Sequence, residues 1–404
     1  MRNKSIFSAM MLLISILVIL LYPPVHAKEV RGVTDDTIKV GIIGDRTGPT
    51  ADLQLQVIQA IQSYHRHINE KGGVHGRKLD LIIDDCGYAI PRAMAAFKKQ
   101  VYRDKTFGLL LGSSSGFMRL IAPKCDKEKL VFITSALSES MIPPEGKYSQ
   151  YSFYGVAGYS DGIRLMFDYI INNLKEKNPK IAYIYPDNEM GKAGLHTCEE
   201  TAKKYGIALV TQEILSPGAL DATTQVLNLK KANANYVIAH TYISPTAALL
   251  RDARKLGYDA NFIGTSPTCN DDVVQMAKKG AEKFVAVTCF SSWYDDTPGT
   301  VNMRNITLKY YPGTEKPYRN RYYTQGWAMS MLFVEGLKRA GKDLTSEGMV
   351  SALETIKNFD TGGIAGPITI TPNHHDGFKY NRFMKSDVGK GIMLPATGWK
   401  KVSD

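Results

Sequence analysis

Hydroxyl side chains are concentrated in the segment GSSSG, residues 112–116, directly after the short apolar run FGLLL. The spacing G-x-S-x-G after a strand is typical of a hydrolase nucleophile elbow, in which Ser114 would attack an ester. His374 or His375 and an acid such as Asp295 would follow in the right chain order, but no HGGG-type oxyanion loop precedes the serine. Alternatively, these hydroxyls and the N–H groups of a helix N-terminus bind a carboxylate or carbonyl, or Ser114 is a plain helix cap.

A second group of hydroxyls, TSALS at residues 134–138, follows the next apolar run, LVFIT. For one such loop alone, the helix-cap interpretation would be preferred. Two loops of this kind at neighbouring strand ends can together surround one anionic group. The sequence therefore favours recognition of a small anion over catalysis.

The histidines lack the spacing of a metal site. His65 and His67 lie two positions apart on a predicted helix, so their side chains point to different faces. His374, His375 and Asp376 are adjacent in the sequence and are typical of an exposed turn. We therefore expect neither a metal nor another cofactor.

Short apolar runs alternate with longer amphipathic stretches from residue 38 onward, which predicts the α/β class with doubly wound parallel sheets. Two such series, separated by the Pro-, Gly- and Tyr-rich segment 142–162, indicate two similar lobes. A late strand is expected in GPITITP, residues 366–372. Ligands bind beyond the carboxyl ends of parallel strands, where small hydroxyl residues, glycines and aromatics predominate in this chain.

The N-terminus has the pattern of a cleaved secretory signal, with cleavage near Ala27 and an exported mature chain. Arg2 and Lys4 precede an apolar run from Met10 to Tyr22. The alternative is an uncleaved membrane anchor, but the run is shorter than the ~20 residues of a bilayer span. The net charge of +11 is scattered, without a basic-aromatic stripe, so nucleic-acid binding is not expected.

The five cysteines form no CxxC motif, and an oxidising compartment would permit disulfides. Cys269 and Cys289 each follow a predicted strand and are the first expected pair. Cys86 with Cys125 is the second. The odd count leaves at least one thiol free or bonded between chains.

Five segments in order complete a recognisable pattern: IKVGIIGDRTGPTADL, INEKGGVHGRKLDLIIDD, YVIAH…LLRDARKLGYDANFIG, YYTQGW…EGLKRAG and GPITITP. On these segments the chain resembles the periplasmic leucine/isoleucine/valine-binding family, the type I solute-binding proteins of ABC importers. The resemblance implies two α/β lobes, joined by three crossovers, that close over a small ligand without catalysis. It implies a first lobe of residues 28–153 with 289–372, and a second of residues 154–288 with 373–404.

The resemblance also implies roles for individual residues. Ser114 or Ser115, the backbone of Ala136, and Ser138 match the positions that hold the ligand's carboxylate. The side-chain contacts would come from Leu53, Tyr322 and, in the second lobe, Tyr242. The implied partner is the membrane permease of an importer, and a ligand sensor coupled to a membrane receptor is the alternative.

Two positions depart from the amino-acid binders of this family. Met190 stands where those proteins have a tyrosine, and Ser266 stands where they have an acid that pairs with the ligand's ammonium. A buried ammonium without a counter-charge is costly. An aromatic or aliphatic carboxylate, or an amide, fits these residues equally well, and Arg46 would add a charge-assisted bond to an anion.

Overall fold

The structure, a computed structural model, describes residues 29–111, 114–136, 138, 141, 149–312 and 319–401. The predicted signal peptide therefore lies outside the described residues. Within the described ranges, no helix is both long enough and apolar enough to cross a membrane.

The first sheet has five parallel strands in the order β2-β1-β3-β4-β5. The strands are β1 (Thr37–Gly44), β2 (Lys78–Asp85), β3 (Gly108–Leu111), β4 (Val131–Thr134) and β5 (Ser152–Tyr154). Val40 of β1 pairs with Leu81 on one side and Gly108 on the other. The central strands are apolar on both faces because helices cover both sides of the sheet.

In the described part of the chain, six helices pack around this sheet. They are α1 (Ala51–Glu70), α2 (Ile90–Lys98), α3 (Ser115–Glu128), α9 (Pro298–Tyr310), α10 (Arg321–Ala340) and α11 (Ser346–Glu354). A π-helical turn, Lys99–Arg103, extends α2. Helices α1 and α10 approach closely because Gly326 carries no side chain: a Cβ there would lie 2.4 Å from the carbonyl oxygen of Val57.

The double glycine of INEKGG ends α1 as a left-handed turn. Gly72 and Gly73 have φ angles of +96° and +77°. Glycine adopts these positive angles at little cost in free energy because it has no Cβ. The Gly73 N–H donates to the carbonyl oxygen of Ile68 at 2.9 Å. A Cβ on Gly73 would lie 2.0 Å from the carbonyl oxygen of Arg77, so the chain can turn into β2 only through glycine.

The second sheet has the strand order β12-β11-β10-β9-β8-β6-β7, with β13 paired to β11. Its strands are β6 (Ile181–Tyr185), β7 (Leu209–Ile214), β8 (Tyr236–Ala239), β9 (Asn261–Gly264), β10 (Val285–Thr288), β11 (Tyr380–Asp387), β12 (Ile392–Pro395) and β13 (Lys400–Lys401). Strands β6 to β10 are parallel, as predicted, but β11 and β12 add antiparallel pairs at one edge. This sheet is therefore mixed.

Around the second sheet, the described residues form five helices. They are α4 (Tyr159–Asp168), α5 (Glu189–Lys204), α6 (Thr223–Lys231), α7 (Ile243–Lys255) and α8 (Asp271–Ala277). The π-helical turn Tyr169–Asn173 follows α4, and the 3-10 turns Ser266–Thr268 and Lys278–Ala281 lie on either side of α8.

The chain passes between the two lobes three times: after β5, after β10 and between α11 and β11. The crossing segments lie side by side, since the Tyr154 N–H donates to the His375 carbonyl at 3.1 Å. The rings of Phe153 and His375 stack with their centroids 4.1 Å apart. The predicted strand at residues 366–372 is wrong, because only isolated bridges, such as Phe359 with Ile368, occur there.

The predicted disulfides are wrong, because all five cysteines are buried thiols. Cys269 lines a small cavity together with Thr288 and Phe290, the two neighbours of Cys289 in the chain. Successive side chains of an extended segment point to opposite faces, so the Cys289 thiol points away from that cavity. Its sulfur accepts a hydrogen bond from the Ala157 N–H at 3.4 Å.

Candidate functional site

A cavity lies between the two lobes, at the carboxyl ends of strands from both sheets. It contains about 590 Å³ of empty space, part of which is open to solvent. The predicted residues that line it from the first lobe are Leu53, Ser114, Ser115, Ala136 and Tyr322. Those that line it from the second lobe are Met190, Tyr242 and Ser266.

Ser114 lies at the start of α3 in an unusual backbone conformation, with φ +70° and ψ 143°. Non-glycine residues rarely adopt a positive φ, and such strain is concentrated at functional sites. Its hydroxyl oxygen accepts a hydrogen bond from the Phe117 N–H at 3.2 Å, so the hydroxyl proton is available to another acceptor. The first N–H groups of α3 have no acceptor within the helix. This end of α3 therefore suits a negatively charged group.

The loop after β4 lies beside the Ser114 loop and is held from behind by α10. The Gln325 side-chain amide donates to the Ser135 carbonyl at 2.6 Å, and the Thr134 hydroxyl donates to the Ala136 carbonyl at 2.7 Å. Both hydrogen bonds occupy carbonyl oxygens, which would otherwise repel an anion. Ser135 and Ala136 line the cavity together with Ser114 and Ser115.

Tyrosines from both lobes meet at the cavity. The hydroxyl oxygens of Tyr88 and Tyr242 lie 2.5 Å apart, and the Asn188 side-chain amide donates to Tyr242 at 3.2 Å. The Tyr159 hydroxyl hydrogen-bonds the Ser115 side chain. Burial raises the pKa of Tyr88 to about 12 and that of Tyr242 well above its ordinary value, so both phenols are neutral at physiological pH.

Arg321 brings a positive charge to the cavity. The residue is only 5% exposed, and its guanidinium lies 3.9 Å from the centroid of the Tyr322 ring. One terminal nitrogen donates to the Gln325 side-chain oxygen at 3.3 Å, and Nε has no hydrogen-bond partner in the described chain. Among the described residues that line the cavity, Arg321 is the only charged side chain.

Ser266 adds a second unsatisfied polar group. Its hydroxyl oxygen is buried and, within the described part of the chain, makes no hydrogen bond. The Tyr322 hydroxyl nearby donates to the Pro267 carbonyl at 3.0 Å, and burial raises the pKa of Tyr322 to about 12. Buried polar groups usually have partners. These unsatisfied atoms indicate where a bound molecule would make its hydrogen bonds.

Two predicted residues do not line the cavity. Arg46 is exposed, and its backbone N–H donates to Asp85 Oδ1 at 2.8 Å. Ser138 is buried, and its carbonyl accepts a hydrogen bond from the Met141 N–H. Gly112, Ser113 and Leu137, in the same two loops, lie outside the described residues.

The groups considered for a hydrolase triad are not assembled around Ser114. His374 is exposed and lines a different cavity. The ring nitrogens of His375 form hydrogen bonds with the Ser152 carbonyl and the Glu354 carboxylate. Asp295 forms an ion pair with Arg382. In the described parts of the chain, no group of three or more His, Cys, Asp or Glu residues has the arrangement of a metal site.

Several cavity residues were not predicted. Tyr88 follows β2 in the segment DDCGY, so its position at a strand end was a usable signal. Tyr159 begins α4, directly after a crossover. Arg321 and Gln325 lie in the strongly polar segment RNRYYTQ, residues 319–325, around the start of α10, a composition more typical of an exposed helix start.

Comparison with known proteins identifies a family over most of the chain. The family model described as "Periplasmic binding protein" matches residues 37–390. The leucine-, isoleucine-, valine-, threonine- and alanine-binding protein of Pseudomonas aeruginosa is 27% identical over 257 residues, which is 62% of this chain. The matched region spans 66% of that relative, slightly less than two thirds. A Leu/Ile/Val-binding protein homolog of Brucella melitensis is 23% identical, covering 80% of this chain and 85% of the relative.

Solved structures share the fold over nearly the whole length. A branched-chain amino acid ABC transporter protein from Thermus thermophilus with bound valine has a TM-score of 0.84 at 24% identity, covering 91% of this chain and 97% of that one. A fatty acid ABC transporter substrate-binding protein from Thermomonospora curvata has a TM-score of 0.81 at 22% identity, with 94% and 96% coverage. At these identities the likeness establishes the type I two-lobed fold, which two different solute classes share.

Proposed function

Because the chain belongs to the periplasmic binding protein family, we propose that it captures a small solute between its lobes for an ABC importer. The solute bears a carboxylate or a related carbonyl group: an amino acid, an aromatic or aliphatic acid, or an amide. The protein acts in the periplasm, after removal of residues 1–27, and passes the solute to a membrane permease. The similarity to amino-acid-binding relatives supports this role.

One observation carries the proposal. Two hydroxyl-rich loops of the first lobe, at Ser114–Ser115 and Ser135–Ala136, face Tyr242 and Ser266 of the second lobe across a single cavity. A solute in this cavity contacts both lobes only when they are closed. Its binding energy therefore favours the closed form.

Chemical roles follow from the positions of the groups. The N-terminus of α3, with the Ser114 and Ser115 hydroxyls, would donate hydrogen bonds to the carboxylate. Leu53, Met190 and the tyrosine rings would surround the apolar part of the solute. We propose lobe boundaries at residues 28–153 with 289–372 and at 154–288 with 373–404, so that closure is a movement about the three crossing segments.

A thermal-shift screen followed by calorimetry tests this function. We expect one solute per chain, with stabilisation of about 2.7 kcal/mol at a hundredfold excess over Kd, and no product detectable by mass spectrometry. The variant Ser266→Trp fills the cavity and should abolish binding. Ser216→Trp, at an exposed position of the same lobe, is the matched control and should bind normally.

Two results would contradict the proposal. The first is the absence of binding by any amino acid, organic acid or amide. The second is conversion of a bound ester or amide into product that depends on Ser114.

A further inference from the structure

The described lining of the cavity carries a net positive charge. Arg321 is the only charged residue of its described lining, and the other polar groups are hydroxyls, amides and backbone groups. Two aromatic rings flank the guanidinium, with centroids at 3.9 Å for Tyr322 and 5.7 Å for Phe290. Water is thus largely excluded from the cation, and its electrostatic interactions are correspondingly strong.

No described carboxylate neutralises Arg321. A small second cavity is lined by both Arg321 and Asp271. That carboxyl forms no ion pair with Arg321; it accepts a hydrogen bond from the Met393 N–H at 2.6 Å. Burial raises the pKa of Asp271 to about 7, so much of its population is uncharged near neutral pH. The positive charge of the cavity is therefore available to a ligand.

We infer that Arg321 pairs with an anionic group of the solute, and that the solute is an organic acid without an ammonium group. The inference rests on the proposed function and narrows it. An anion supplies the counter-charge that a buried guanidinium needs, because a buried unpaired charge is costly. An ammonium in the same cavity would face Arg321 and hydroxyl dipoles, and the described lining has no carboxylate to accept its hydrogen bonds.

Direct pairing also accounts for the unsatisfied atoms. The Arg321 Nε and the Ser266 hydroxyl oxygen are both buried without hydrogen-bond partners in the described chain. Gln325 links Arg321 to the loop after β4, since it accepts from the guanidinium at 3.3 Å and donates to the Ser135 carbonyl at 2.6 Å. Gln325 thus positions the guanidinium relative to the Ser114–Ser115 and Ser135–Ala136 loops.

Matched solutes that differ in one group test the inference. Calorimetry would compare leucine with 4-methylpentanoate, and phenylalanine with 3-phenylpropanoate and 3-phenylpropanamide. We expect each acid to bind at least about tenfold more tightly than its α-amino acid, and 3-phenylpropanoate at least about tenfold more tightly than its amide, since a charge-assisted hydrogen bond is lost.

Substitutions at Arg321 test whether this residue causes the preference for acids. Arg321→Met should weaken acid binding by about 10-fold to 100-fold while leaving amide binding nearly unchanged, and Arg321→Lys should restore part of the loss. The control is Arg339→Met, near the other end of α10, where the guanidinium pairs with Glu335. This control should bind like the wild type.

The possible outcomes separate the inference from the proposed function. Tighter binding of leucine or phenylalanine than of their acids would overturn the inference but support solute capture. Equal affinities for the acid and the amide would also overturn the inference and support solute capture. The same conclusion would follow if a folded Arg321→Met variant bound the acid with normal affinity. Absence of binding by every compound of the panel would overturn both.

Discussion

The hydroxyl contact between Tyr88 and Tyr242 joins the two lobes directly, so removing it should weaken solute binding without altering either lobe. Tyr88 comes from the loop after β2 of the first lobe, and Tyr242 precedes α7 of the second. Tyr88 has a left-handed backbone with φ +59°, a conformation that costs a non-glycine residue free energy. The substitution Tyr88→Phe removes one oxygen and keeps the ring.

The expected loss of binding free energy depends on the hydrogen bonds that the Tyr242 hydroxyl keeps. After Tyr88→Phe, the Tyr242 hydroxyl still accepts from the Asn188 side-chain amide at 3.2 Å, so no buried polar group is left without a partner. A net loss of about 1 kcal/mol is therefore expected. The contact exists only when the lobes are closed. Solute affinity should thus fall about fivefold.

A double-mutant cycle measured by calorimetry provides the assay. The wild type, Tyr88→Phe, Tyr242→Phe and the double variant would each be titrated with 3-phenylpropanoate, and the coupling energy should be about 1 kcal/mol. Tyr258→Phe is the control, because its hydroxyl donates to the Ala234 carbonyl at 2.7 Å within the second lobe. It should reduce stability but not affinity. Additivity of the two cavity variants would refute the predicted contact.

Two further predictions concern stability, and a third concerns the number of free thiols. Burial lowers the pKa of His65 to about 3, below its value of 6.5 in the unfolded chain. The contribution of the buried, neutral imidazole to the free energy of unfolding is therefore complete above pH 6.5 and is lost as the pH falls towards 3. In urea titrations, the free energy of unfolding of the wild type should fall by about 2 kcal/mol between pH 6.5 and 5. The free energy of unfolding of His65→Leu should fall by less, and an equal fall would contradict this prediction. Gly73→Ala should destabilise the protein more than Gly72→Ala in the same assay, because only the former places a Cβ 2.0 Å from the Arg77 carbonyl; equal effects would contradict the clash. A thiol titration of the purified, denatured protein without reductant should count five thiols per chain, and a lower count would indicate disulfides.

The architecture was largely predictable because its parallel strands are short, apolar and separated by amphipathic helices. The antiparallel edge was not. Strand β11 carries the polar segment YNRFMKSD, and its pairing with β10 depends on a return of the chain from the first lobe. Such distant pairing leaves no local pattern. Residues 366–372 alternate like a strand but find only isolated bridging partners.

The cavity was predictable where residues follow strands and unpredictable where helices meet. The loops at Ser114 and Ala136 and the residue Tyr242 could be located because parallel strands align their carboxyl ends. Arg46 also follows a strand but is exposed and does not line the cavity. Arg321 is buried where the start of α10 meets Phe290, in the crossing segment after β10. No local pattern distinguishes it from an exposed arginine.

Lobe closure around a bound solute is the central claim, and a distance measurement between spin labels tests it most directly. Labels at Leu120→Cys in α3 and Leu227→Cys in α6 occupy exposed positions in different lobes. Without solute, we expect a broad distribution of long distances. Saturating 3-phenylpropanoate should convert it into one narrow, shorter distribution. An unchanged distribution, with calorimetry showing one bound solute per chain, would contradict capture between the lobes.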